Sequence, residues 1–145
     1  LQIEPGNYTD NTGKVLGKHC GFCNYTIGQR KGLGIALGSP KHVLKIDAQT
    51  NTVVLGDHDE LYTCNVQAGD VRVRDIQWLL DSPQVTARIR YKSPAVAATL
   101  QITPMVNNQS PILNLHFDQP VWGVTPGQSL VIYKDGLLIG GGIIQ

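Results

Sequence analysis

Charge is scarce in this sequence. Only 16% of its 145 residues are charged while 41% are hydrophobic, a balance that excludes a disordered tail, which needs the reverse. No apolar run approaches the roughly 18 residues of a membrane span, so no membrane partner is expected. The opening LQIEPGNYTD has neither the basic nor the apolar region of a signal peptide. It also lacks an initiator methionine, the single Met being Met105, and the sequence reads as a piece of a longer chain. Three cysteines are an odd number and too few for a disulfide framework, which favours a reducing, cytoplasmic setting. Helical periodicity is absent as well. No stretch repeats apolar residues at i, i+3, i+4, i+7 for three turns behind a capping box, and a single turn near Asp75 to Leu80 is the one helical candidate. There is no internal repeat and no low-complexity segment.

What is present is β-structure. Sixteen glycines and eight prolines punctuate short runs rich in Val, Ile, Leu, Thr and Tyr, the residues that suit a pleated surface. His42–Ile46 and Thr52–Leu55 flank a polar loop and read as a hairpin. Val71–Arg74 alternates apolar and basic residues, as does Thr86–Tyr91, which places Arg88 and Arg90 on one strand face. Ala95–Ile102 and Ile112–Phe117 continue the pattern. Gln128–Tyr133 and Leu137–Ile144 form a last pair around the tight-turn signal Lys134-Asp135-Gly136. Short strands at this spacing predict an all-β chain. Its sharpest break lies in the acidic stretch between Asp57 and Gly69. A small β-domain is therefore expected over residues 1–65 and a closed β-barrel over 66–145.

The net charge of +1 conceals segregation. Residues 1–45 carry six Lys/Arg against two acids, residues 46–82 two against seven, and residues 83–145 four against two. Local basic surfaces of this kind suit phosphate. Cys20-Gly-Phe-Cys23 has the spacing of a zinc or redox pair. However, a second ligand pair is missing, His19 and Cys64 are not at ligand spacing, and the CxxC sits in a strand-like stretch rather than opening a helix. It reads as a structural or incidental pair. Asp57-His58-Asp59-Glu60 has the composition of a hard-cation site and reads as a solvated turn. Gly28-Gln-Arg-Lys-Gly32-Leu-Gly34 and Gly140-Gly141-Gly142 match no nucleotide fingerprint. Gln29-Arg30-Lys31, on a glycine-flanked turn, combines a forked guanidinium, a point charge and an amide. Phosphate contact and an ordinary polar hairpin tip fit it equally.

YTIGQRKGLGI (25–35), ARIRY (87–91), PVWGVTPGQSLVIY (120–133) and DGLLIGGGII (135–144) follow one another collinearly. They are preceded by Glu4-Pro5-Gly6 and GKVLGKH (13–19). Together they resemble the tRNA-uridine 2-sulfurtransferases, the tRNA-specific 2-thiouridylases, over essentially the whole chain. The resemblance implies an enzyme that uses ATP with magnesium to adenylate the wobble uridine of tRNA. A cysteine persulfide, fed by a sulfur-relay donor protein, then delivers sulfur to carbon 2. The SGGxDSS loop of that chemistry does not occur here. Cys20, Cys23 and Cys64 do not match the reactive cysteines, and the CxxC departs from the family pattern. No catalytic residue and no cofactor is thus expected within these 145 residues. The resemblance carries over tRNA contacts at Arg90, Tyr91 and Gln128, to which Gln29, Arg30 and Lys31 are added, and a final barrel like the second domain of translation elongation factors. MVNNQS (105–110) resembles a loop of variable length. The competing expectations are a free-standing translation-factor-like barrel that docks onto protein, a small zinc or redox protein, and a flavin-binding barrel enzyme.

Overall fold

The computed structural model describes residues 3–104 and 110–145; nearly all of the MVNNQS loop lies outside the described residues. The chain divides into two compact units, Leu1–Leu61 and Tyr62–Gln145. The break falls ahead of the expected one after residue 65, because Tyr62 and Thr63 already pair with Trp122 and Val121 and so belong to the barrel.

The first unit is a four-stranded sheet of β1 (Gly6–Thr9), β2 (Val15–His19), β3 (His42–Asp47) and β4 (Thr52–Gly56) in the order β2-β1-β4-β3. The β1–β4 pair is parallel and the others are antiparallel. Each tight connection is built by an aspartate. Asp10 accepts hydrogen bonds from the Thr12 hydroxyl (2.6 Å) and from the Thr12 and Lys14 amides (2.9 and 3.0 Å). Asp47 accepts from the Gln49 and Thr50 amides (2.9 and 3.2 Å). These are Asx turns. The Thr12 hydroxyl above all holds the Asp10 carboxyl below the ordinary carboxylate range, and the Thr50 amide does so for Asp47. Tyr8, Leu33, Val43, Val53 and Leu55 form the core. The Tyr8 hydroxyl donates to the Leu33 carbonyl at 2.7 Å, and the His19 and Tyr25 rings meet the Tyr8 ring edge-on at 5.1 and 5.5 Å. Nδ1 of His19 accepts from the Gly21 amide at 3.0 Å. Burial lowers the His19 pKa, so its ring is neutral with the proton on Nε2.

The second unit is a closed barrel. Its strands are β5 (Tyr62–Val73), β6 (Gln84–Arg88), β7 (Val96–Thr103), β8 (Ile112–Trp122), β9 (Ser129–Lys134) and β10 (Leu137–Ile144), in the order β10-β5-β8-β7-β6-β9. Period-two alternation turns Val85 and Ala87, Leu113, Leu115 and Phe117, and Leu130 and Ile132 inward. Each large one contributes about 1.5–3 kcal/mol on burial. The expected helical turn is α1 (Ile76–Asp81), whose first turn is capped by the Asp75 carboxylate accepting from the Trp78 amide at 2.9 Å. Asp135 and Gly136 both have positive φ (49° and 75°), as a two-residue hairpin turn requires. Gly140 and Gly141 are where β10 squeezes between neighbours. A Cβ there would lie 2.0 Å from the Arg72 carbonyl oxygen or 1.8 Å from that of Leu130. Lys134, almost fully buried, donates to the Ser82 carbonyl, the Ser82 hydroxyl (3.0 Å) and the Gln84 carbonyl (2.9 Å). It thereby ties β9 to the α1–β6 connection. Among the described residues, no helix is long and apolar enough to cross a membrane.

Candidate nucleic-acid interface

Strand registers bring Arg90, Tyr91 and Gln128 to one end of the barrel. Arg88 pairs with Val131, Ala98 with Phe117, Tyr62 with Trp122, and Ile143 with Ser129. The end of β6, the start of β7, the end of β8, the start of β9 and the end of β10 therefore lie together. α1 and the Asp135-Gly136 turn lie at the opposite end.

The β6–β7 connection opens with a turn closed by Ser93. Its amide and hydroxyl both donate to the Arg90 carbonyl (3.1 and 2.9 Å), and its hydroxyl accepts from the Arg90 amide at 3.2 Å. Tyr91 and Lys92 occupy the two central positions and project outward. Tyr91 is 92% exposed, which is costly for an aromatic ring without a ligand. The Arg90 guanidinium turns back. It donates to the carbonyls of Trp122 (3.2 Å) and Gly123 and lies over the Trp122 ring at 5.4 Å from its centroid. The Gly123 carbonyl also accepts from the Thr125 hydroxyl at 3.0 Å, and the Thr125 carbonyl accepts from the Gln128 amide at 3.3 Å. Gln128 is fastened from its other side, its carbonyl accepting from the Ile144 amide at 2.8 Å. Its side chain is exposed. Arg90 thus fixes the loop that presents Gln128, and the two turns share one frame.

The electrostatics of this end are positive. No Asp or Glu occurs between Asp81 and Asp118, a stretch that holds Arg88, Arg90 and Lys92. Arg88 lies over the Tyr133 ring at 5.7 Å from its centroid. Asp118 is exposed on β8 and is the acid of this neighbourhood. Beside the β6–β7 turn, against the end of β8, lies a half-open apolar cleft of about 320 Å³, lined by Pro94, Pro120 and Trp122 with Ile89, Val96 and Val121.

One expectation about these side chains needs correction. Arg88 and Arg90 do not share a strand face, because β6 ends at Arg88; the alternation runs on through Tyr91, but the Ser93 hydroxyl bends the backbone at Arg90. The Gln29 side chain is engaged within its own turn. Its Oε1 accepts from the Thr26 amide at 3.0 Å and its Nε2 donates to the Lys31 carbonyl at 2.9 Å. The Gln29 carbonyl also accepts from the Val43 amide at 2.9 Å, so this turn is stitched to β3 rather than forming a hairpin tip. Arg30 and Lys31 are exposed. These three belong to the first unit, apart from the barrel residues. The nearby His42 ring has its pKa lowered, by burial first and then by His58 and Arg30, with Asp57 opposing. Sequence reasoning passed over Lys92, Ser93 and Trp122. Lys92 was signalled by its place beside Arg90-Tyr91; the turn-closing role of Ser93 was not.

Metal and nucleotide chemistry find little purchase. The CxxC is not strand-like: β2 ends at His19, and Cys23 lies on a 3-10 turn, Phe22–Asn24. Cys20, Cys23 and Cys64 are free thiols, and among the described residues no three His, Cys, Asp or Glu side chains gather as a metal site. The acids at 57–60 instead cap the 3-10 turn His58–Leu61: Glu60 Oε1 accepts from the Asp57 amide at 3.0 Å, and Asp57 pairs with Lys41 at 2.7 Å. The one α-helix among the described residues has its amide end filled by the Asp75 carboxylate, which repels phosphate.

Residues 1–57 match the family described as tRNA methyl transferase PRC-barrel domain, and residues 68–144 the one described as aminomethyltransferase beta-barrel domain. Among curated proteins the chain is similar to the tRNA-specific 2-thiouridylase MnmA of Acetivibrio thermocellus, 46% identical over 144 residues, covering 99% of this chain and 39% of that protein. The tRNA-specific 2-thiouridylase MnmA of Clostridium beijerinckii is 42% identical over 144 residues, with the same coverage. That of Natranaerobius thermophilus is 44% identical over 142 residues, covering 98% and 37%. The chain spans about two fifths of the length of these relatives.

Proposed function

Because the chain belongs to the tRNA-specific 2-thiouridylase family and corresponds to the C-terminal part of its members, we propose that it is the tRNA-holding region of such an enzyme. The parent protein thiolates the wobble uridine at carbon 2. Adenylation with ATP and magnesium, and sulfur delivery from a relay protein, belong to residues outside this chain, which by itself is inactive and works in the cytoplasm. One observation carries the reading: a single barrel end presents an exposed Tyr91, an exposed Lys92 and a loop-borne Gln128 on a frame that Arg90 locks.

The physical logic follows from the substrate. A wobble base must leave its stack to be modified, which costs a few kcal/mol. Contacts elsewhere on the tRNA offset that cost and set the register, and such contacts are made largely with backbone phosphate and sugar. Lys92 with Arg30 and Lys31 supplies point charges, Tyr91 a stacking face, and Gln128 a donor and acceptor for ribose. Arg90 acts as a positioning residue through the 122–128 loop.

The test is fluorescence anisotropy of labelled tRNA with this chain across a salt series. Two or three phosphate contacts give a slope of log K against log salt of about −2 to −3, and Tyr91→Ala lowers affinity roughly tenfold. A salt-independent affinity, or one unmoved by Tyr91→Ala and Gln128→Ala, overturns the proposal and leaves a barrel that docks onto protein.

A further inference from the structure

We infer that the apolar cleft between Pro94, Pro120 and Trp122 is a slot for one unpaired nucleobase of a bound RNA. The inference rests on the tRNA-holding reading and names where within that end an unstacked base goes. Three observations converge on it. At about 320 Å³ the cleft is at the small end of ligand pockets, the size for a single nucleoside. Its walls are flat, two proline rings and an indole, and its floor of Ile89, Val96 and Val121 is apolar, which suits a base's face rather than its edges. Its one charged lining residue, Arg90, is held by the Trp122 and Gly123 carbonyls, so the cation left for a phosphate is Lys92, exposed on the same turn. A nucleotide carries an apolar face with an anion at a fixed distance, and the cleft and its turn present the complement of both. An aliphatic peptide side chain has no use for the cation, and a paired duplex has no free base to insert.

Tyr91, on the outside of the same turn, does not line the cleft. It offers a second stacking surface to the neighbouring nucleotide, so the turn separates two consecutive bases, one inserted and one stacked. Single-strand binders that tolerate any sequence combine aromatic platforms and cations in this way.

The experiment uses the chain's own fluorescence. Of the two tryptophans, Trp122 lines the cleft and Trp78 lies on α1 at the far end of the barrel. A mixed-sequence single-stranded RNA hexamer is expected to quench emission, the same hexamer in a blunt duplex is not, and Trp122→Phe abolishes the response. Val96→Phe fills the slot while leaving Arg90, Tyr91 and Lys92 in place, and is expected to weaken hexamer binding about tenfold. Should Val96→Phe misfold, Pro94→Ala removes an exposed wall at no cost to the core and is expected to weaken binding several-fold. Equal quenching by duplex and single strand overturns the slot. So does undiminished hexamer affinity in both filled and opened variants. If tRNA binding with its salt dependence persists in those cases, the tRNA-holding role stands without the slot. Loss of all RNA binding in the unaltered chain brings both down, and leaves the cleft to an apolar side chain of a protein partner.

Discussion

Arg90 illustrates how a basic residue in a nucleic-acid interface need not touch the nucleic acid. Its guanidinium is held by the Trp122 and Gly123 carbonyls and by the Trp122 ring. A planar fork with several fixed donors can hold two adjacent carbonyls at once; an ammonium cannot do so in the same geometry. Arg90→Lys is therefore expected to lose about 1–2 kcal/mol of stability, most of the loss seen in Arg90→Ala, and to leave the salt slope of tRNA binding nearly intact. Thermal denaturation and the anisotropy series read the two quantities separately. Equal stability of Arg90→Lys and the native chain would count against the clamp. Gly123 is the other half of this joint. Its φ is +68°, and a Cβ there would meet the Arg90 guanidinium at 2.2 Å.

Elements written by alternation and turn chemistry were legible in the sequence. The β3–β4 and β9–β10 hairpins, the strands β7 and β8, and α1 stand close to where the pattern put them, because a period of two and an Asp-Gly turn are local signals. The first half of β5 was passed over although it alternates, Tyr62, Cys64, Val66 and Ala68 against Thr63, Asn65 and Gln67, because it lies in the stretch where the break between units was expected. The parallel β1–β4 pair was invisible, since a pairing between residues 7 and 52 has no local cue. Of the site, Arg90-Tyr91 and Gln128 were found through family resemblance; the Ser93 closure and the intramolecular roles of Gln29 and Arg90 depend on where the chain folds back. β10 shows the same contrast energetically. Gly141→Ala drives a methyl into the Leu130 carbonyl and is expected to cost about 3 kcal/mol or more. Gly136→Ala meets nothing within 4 Å and bears only the strain of positive φ, about 1 kcal/mol. Urea denaturation of the two variants checks the ordering, and equal costs would contradict the close packing of β10.

At the scale of the whole molecule, pH acts chiefly on the first unit. His19 and His42 both have lowered pKa values in the folded chain, while in the unfolded chain they take up protons below about 6.5. The unfolded state then binds more protons, so stability is full above that pH and falls as the pH drops toward the folded values. Asp10 and Asp47, also lowered, add a second loss at pH below about 3.9, the unfolded carboxylate value. Urea midpoints between pH 7.5 and 5 are expected to decline, and His19→Gln to shallow the decline without removing the share of His42. An unchanged decline in His19→Gln would assign the effect elsewhere.

The barrel is sealed by its last strand, with Ile144 paired to Ala68 and Ile143 to Ser129. A ribosome that has not yet released those residues holds a nascent chain whose β5 and β9 are both raw edges, ready to pair with any neighbour. Removing the whole of β10, Leu137–Ile144, recreates that condition permanently, and the product is a sticky open sheet prone to aggregate.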